Sequence, residues 1–165
     1  MIKILVIKIN VIVKDKNWFK YIKNPEAYLS RKIKKICELC DVIHSVDREK
    51  IVKIISDLKS QGMNIPKLFL QVNIGLESQK SGINPNNVRD FIEISLKKYH
   101  ISFEGLMCLP PEGKDPKEYF DQLNALSLSN KLKKLSMGMS GDYLSALESG
   151  ATHIRVGSSI FGERT

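Results

Sequence analysis

The sequence predicts an α/β protein built on a parallel sheet, and three observations carry the prediction. From residue 31 onward, short apolar runs alternate with amphipathic stretches of helical period, which is the rhythm of strand–helix units. Each apolar run ends in a polar or glycine-rich turn, so the functional loops gather on the carboxyl edge of the sheet, where the sites of barrels and open α/β sheets lie. The segment LSMGMSGDYLSALESGATHIRVGSSIFGER, from Leu135 to Arg164, joins two Gly/Ser-bearing strand ends through one short helix.

Taken in order, the helices are expected near 31–40, 48–62, 85–99, 115–130 and 141–149, and the strands near 42–45, 67–72, 103–107, 134–137 and 153–156. Asp47 and Asn84 stand where helix N-caps belong, with Pro85 at a first helical position. Gly62 and Gly150 stand where helices stop. The first residues break this rhythm: ILVIKINVIV can form one strand, but KDKNWFKYIKNPEAY has no clean period and contains the turn signal Asn24–Pro25. Residues 1–28 are therefore read as an atypical leader and 29–165 as the domain proper.

A chain of 165 residues holds one compact domain with a sizeable core. It is short for a full barrel of eight strand–helix units, which needs about 250 residues. A hydrophobic fraction of 42% is that of a folded protein. The net charge of +8 is placed unevenly, +7 over residues 1–60 and +1 over 61–165. No run of Lys/Arg is interleaved with stacking aromatics, so solvated lysines explain the excess better than a nucleic-acid patch does. Cys37, Cys40 and Cys108 make neither a disulfide framework nor a four-ligand zinc site and read as reduced thiols of a cytoplasmic protein. Lys3, Lys8 and Lys14 interrupt the apolar N-terminus, which has the pattern of neither a signal peptide nor a membrane span.

The chemistry concentrates in the last thirty residues. Backbone N–H groups after Met139 and after Val156 can converge on a phosphate, because glycine admits close backbone approach and clustered N–H groups form anion-binding concavities. Arg155 can point one planar cation into the same mouth. Elsewhere, Asn73 ends the strand LFLQV and can aim its amide at the mouth, while Lys80 can reach a ligand's phenolic oxygen or a structural carboxylate. His44 reads as a core or rim histidine satisfied by hydrogen bonds. Met107, Met137 and Met139 read as packing.

The wording of Leu135–Arg164, together with QVNIGLESQKSGI (71–83) and GLMCLPP (105–111), resembles the pyridoxal phosphate homeostasis family, whose single domain is a barrel related to alanine racemase. The resemblance runs from about Leu29 to Arg164. It implies a partial TIM-type (β/α) barrel of alanine racemase-like fold, with about five of eight strand–helix units. By the same resemblance Ser136–Ser140 lie on the seventh barrel strand and its exit loop, and Arg155–Ser159 on the eighth. Ser140 and the N–H groups of Gly157 and Ser158 would then hold the phosphate of pyridoxal 5′-phosphate, and Arg155 would approach its pyridine nitrogen. Met137 and Asn73 complete the implied cofactor-binding set; no metal is implied.

One departure from the family pattern shapes the expected function. In the family the first strand ends in the lysine that forms a Schiff base with the cofactor, and two further strand–helix units follow. Only Leu29-Ser30-Arg31-Lys32 echoes the end of that region here. Lys8 follows an apolar run but stands too few residues before the matched region to leave room for those units. The expectation is a shortened or disrupted family member that binds pyridoxal phosphate non-covalently and weakly, serves vitamin B6 homeostasis without catalysis, and draws missing strands from an upstream-encoded fragment. Two other readings stand beside it, a racemase-like enzyme fragment and a basic nucleic-acid module using residues 1–60.

Overall fold

The computed structural model describes residues 3–6 and 25–157, with Ile160 and Gly162, and side chains from Ser30 onward. One parallel sheet contains β1 (Lys3–Val6), β2 (Val42–Val46), β3 (Lys67–Val72), β4 (Gly105–Cys108), β5 (Lys134–Met139) and β6 (His153–Val156), in the spatial order β1-β6-β5-β4-β3-β2. The helices are α1 (Pro25–Leu39), α2 (Glu49–Ser60), α3 (Val88–Tyr99), α4 (Pro116–Ser129) and α5 (Tyr143–Glu148), with a 3-10 turn at Pro85–Asn87 leading into α3. Strands β2 to β6 are parallel and in sequence order, as the alternation predicts.

Strand alternation divides the side chains into two layers. Leu68, Leu70, Leu106, Leu135, Met137 and Ile154 point to the helices and share one apolar cluster with Ile33, Val52, Ile55, Phe120 and Ala146. In α2 the buried set Val52, Ile54, Ile55 and Leu58 follows the helical period; each such side chain contributes about 1.5–3 kcal/mol by leaving water. On the other face the sheet curls until rings from β2, β3 and β6 meet. His44 stacks on Phe69 at 4.6 Å, and His153 meets Phe69 edge-on at 4.9 Å. Gly105 permits the close passage of β4 beside β5, since a Cβ there would stand 2.0 Å from the Lys134 carbonyl oxygen. These five strands and their helices make a half-barrel.

The ends of elements show where local signals held. The Asn84 side chain accepts from the Asn86 N–H, with Pro85 at the first position, as expected. Asp47 does not cap α2: Arg48 occupies the N-cap without a side-chain bond, and the Asp47 carboxylate is taken by the Arg48 guanidinium at 2.7 Å. A charge-assisted pair with its neighbour outcompetes the cap. Of the expected turn signal Asn24–Pro25, Asn24 lies outside the described residues, and Pro25 opens α1, because proline's fixed φ suits a first helical turn. From the atypical leader, Lys3–Val6 joins the sheet as a sixth strand, with Leu5 opposite Arg155. Residues 7–24, Lys8 among them, lie outside the described residues.

Candidate functional site at the carboxyl edge

The carboxyl ends of β5 and β6 bring three of the expected residues together. The chain leaves β5 through Gly138, whose φ of +90° belongs to the left-handed half of backbone space; a Cβ there would come within 2.6 Å of the Ala146 Cβ. Glycine at 138 thus lets α5 lie against the strand end. Asp142 closes the following turn, its carboxylate accepting from the Met139 N–H at 2.5 Å while its own N–H donates to the Met139 carbonyl. This turn presents Ser140 to the loop after β6, where the Gly157 N–H donates to Ser140 Oγ at 3.2 Å. Ser140, expected to hold phosphate, does not cap the short helix; Asp142 occupies that position.

Arg155 is held from two sides. Nη1 donates to Ser136 Oγ at 2.8 Å and Nη2 to the Cys108 carbonyl at 2.9 Å, so one guanidinium ties β6 to β5 and β4. Burial pushes its pKa down from the usual arginine value, while Cys108 and Asp142 act the other way; a guanidinium keeps its proton throughout the working range. Burial pushes the Cys108 thiol up to about 12, so no thiolate competes for Arg155. The result is a preset cation at the mouth, beside a hydroxyl and a backbone donor. Such a set suits an anionic or hydrogen-bond-accepting ligand.

Other expected residues do different work. Asn73 does not aim its amide into the mouth: Nδ2 donates to the carbonyls of Glu77 and Lys80, and Oδ1 accepts from the Glu77 N–H. A side chain able to satisfy three local backbone groups organises its own loop first. Lys80 takes the structural carboxylate, pairing with Glu77 at 2.6 Å and donating to the Pro110 carbonyl at 2.9 Å, which ties the β3 loop to the β4 loop. Met137 is fully buried among the helix-facing residues, on the face opposite Ser136 and Arg155, and so packs the core rather than lining the mouth. Met107 is buried, whereas Met139 is exposed at the rim. Ser158 lies outside the described residues. A cavity of about 300 Å³ opens at the carboxyl ends of β3 and β4, lined by Gln71, Asn73, Lys80, Ser81 and Leu109 among others.

His44 corrects a further expectation. It is buried, at 8% exposure, but among the described residues neither ring nitrogen has a hydrogen-bond partner. Burial, with His153 and Arg155 adding repulsion, lowers its pKa to about 4. The reading from sequence also passed over Ser136 and Asp142. Ser136, a hydroxyl at an inward position between Leu135 and Met137, was the available signal. Among the described residues, no group of three or more His, Cys, Asp or Glu could hold a metal ion, and no helix is long and apolar enough to cross a membrane.

Known proteins share this architecture. Residues 22–165 match the family described as alanine racemase, N-terminal domain. The pyridoxal phosphate homeostasis protein of Vibrio cholerae is 37% identical over 143 residues, covering 82% of this chain and 61% of that protein. That of Schizosaccharomyces pombe is 30% identical over 167 residues, covering 95% of this chain and 69% of that one. PipY of Synechococcus elongatus PCC7942, at 32% identity, superposes with a TM-score of 0.72 in its structure without pyridoxal phosphate and 0.70 in the structure with it bound, covering 81% of this chain and 66% of PipY. The fold is thus that of an alanine racemase N-terminal domain. The chain belongs to the pyridoxal phosphate homeostasis protein family, and it spans 61% of the length of its Vibrio cholerae relative.

Proposed function

We propose that this chain binds pyridoxal 5′-phosphate at the carboxyl edge of its half-barrel and serves vitamin B6 homeostasis as a carrier rather than as an enzyme. The observation that carries the reading is the convergence of Arg155, fixed by Ser136 and Cys108, with the contact between Ser140 and Gly157. Arg155 would offer pyridoxal phosphate a permanent cation at that mouth, and Ser140 and the Gly157 N–H would offer it a hydroxyl and a backbone donor. When bound, the cofactor supplies an electrophilic aldehyde and a ring that can act as an electron sink. Arg155 would face the ring nitrogen and, because a guanidinium gives up no proton, would leave it unprotonated and so weaken that sink. Binding without a lysine link is correspondingly weak. Three unbridged thiols agree with a cytoplasmic setting.

Calorimetry with pyridoxal phosphate on the chain and on Ser140→Ala tests the proposal. Loss of one hydrogen bond to a charged group should weaken binding by about 1.5–3 kcal/mol. Gly157→Val should abolish it by blocking backbone approach. Unchanged affinity in both variants, or loss instead on neutralising lysines within 1–35, would move the anion site to the basic leader and defeat the reading.

A further inference from the structure

Asp142 turns its carboxylate away from the helix it begins. At an N-cap an aspartate ordinarily accepts from the first N–H groups of its own helix, yet Asp142 makes no such bond to α5. Its Oδ1 reaches back to the Met139 N–H at 2.5 Å, while its own N–H donates to the Met139 carbonyl at 3.1 Å. One residue thus closes both ends of a four-residue turn, with Ser140 and Gly141 at the centre. Gly141 adds no restraint of its own: its φ is outside the left-handed region, and a Cβ built there meets nothing within 4 Å among the described residues. The turn that carries Ser140 is therefore held by Asp142 and not by the backbone preferences of glycine. Across the mouth, Ser140 Oγ accepts the Gly157 N–H at 3.2 Å. The carboxylate also acts on the Arg155 guanidinium, opposing the fall of its pKa, so both its position and its charge bear on the mouth.

We propose that Asp142 is a positioning residue for the phosphate of pyridoxal phosphate, acting through Ser140 by where its acceptor oxygen sits and not by its charge. This rests on the cofactor reading above and deepens it. As an acceptor, the carboxylate sets Ser140 Oγ against the Gly157 N–H before a ligand arrives, so binding does not carry the cost of ordering that hydroxyl. As a charge, it offsets part of the positive field of Arg155 and disfavours an anion at the mouth. The two effects have opposite signs. Removing the charge while keeping the acceptor should leave binding as tight or tighter, whereas moving the acceptor while keeping the charge should weaken it. A carboxylate that only stabilised the fold would shift the thermal midpoint and leave affinity unchanged in both cases.

Calorimetry with pyridoxal phosphate on the full chain, on Asp142→Asn and on Asp142→Glu is the test. Asparagine keeps an oxygen at the same reach without the charge, and glutamate keeps the charge but carries its oxygens one methylene further out. Asp142→Asn should bind at least as tightly as the parent. Asp142→Glu should bind about fivefold or more weakly, the worth of one capping hydrogen bond. Amide hydrogen exchange on the free chains should follow the same order, with Met139 and Gly157 protected in the parent and in Asp142→Asn and faster in Asp142→Glu. Gly141→Ala, which meets open space, should match the parent in both measurements. Unchanged affinity in Asp142→Glu overturns the inference, and so does a loss in Asp142→Asn, which would make the charge the working feature. If the parent chain binds no pyridoxal phosphate, the cofactor reading falls, and exchange at Met139 and Gly157 alone then decides whether Asp142 places Ser140 against Gly157.

Discussion

Acid should loosen this fold through His44 before it touches most carboxylates. An ordinary histidine in the unfolded chain takes up its proton near pH 6.5, whereas His44 in the folded chain does so only at about 4. Above pH 6.5 the ring is neutral in both states and contributes nothing to the pH dependence. As the pH falls below 6.5 the unfolded chain gains a proton that the folded chain refuses, so stability declines until the folded ring also titrates at about 4. At about 1.4 kcal/mol for each unit between those values, the loss reaches about 3 kcal/mol, a large part of the stability of a domain this size. Glu104, Asp121 and Glu93 have their pKa values lowered by lysine partners, so their contributions disappear below the ordinary carboxylate range and fall mostly outside this window. Urea unfolding at several pH values from 7 to 4.5, on the chain and on His44→Leu, isolates the effect. The leucine removes the titrating group and two unsatisfied nitrogens at similar volume, so the variant should be nearly flat from pH 6.5 to 4.5 and no less stable than the parent at the acid end. An unchanged slope in His44→Leu would refute the argument.

Three further outcomes follow from particular contacts. Gly138→Ala sets a Cβ 2.6 Å from Ala146 at a φ of +90° and should cost about 2–4 kcal/mol from strain and overpacking together; a thermal midpoint equal to the parent's would show that α5 moves freely. Arg155→Met leaves the Ser136 hydroxyl and the Cys108 carbonyl without their donor and should destabilise by about 1–3 kcal/mol for each group left unpaired, while also abolishing pyridoxal phosphate binding; retention of both properties in calorimetry would dismiss its double role. Borohydride reduction in the presence of pyridoxal phosphate should give no stoichiometric adduct by mass spectrometry, and an adduct at Lys8 would overturn the non-covalent reading.

The legible parts of this protein were those written locally. Strand–helix alternation located all five strand–helix units, and Asn84-Pro85 marked the entry to α3, because period and capping depend on neighbours a few residues apart. Asp47 misled for the same reason: a good cap residue beside an arginine found a stronger partner one residue away. At the carboxyl edge, the meeting of Ser140 with Gly157 was legible in a wording that places two strand ends side by side. Asn73 and Met137 were not, since the use of an amide depends on which backbone groups its loop leaves free, and the direction of a strand residue depends on register. The unsatisfied state of His44 was illegible in principle. Whether a buried ring finds partners is settled by strands more than a hundred residues away, such as the one carrying His153.

Gly105 has an effect that reaches beyond the passage of two strands. At its level β4 presents no side chain to the concave face, and its register neighbour is Phe69. Phe69 and His153 can therefore meet across the space β4 leaves empty. The arc of this sheet is set from inside, by rings that touch over a vacancy, and not by the tension of a closed hoop of hydrogen bonds. An arch shaped in this way holds its curvature through contacts among β2, β3 and β6 themselves, so the form of the mouth at Arg155 is set by the described strands.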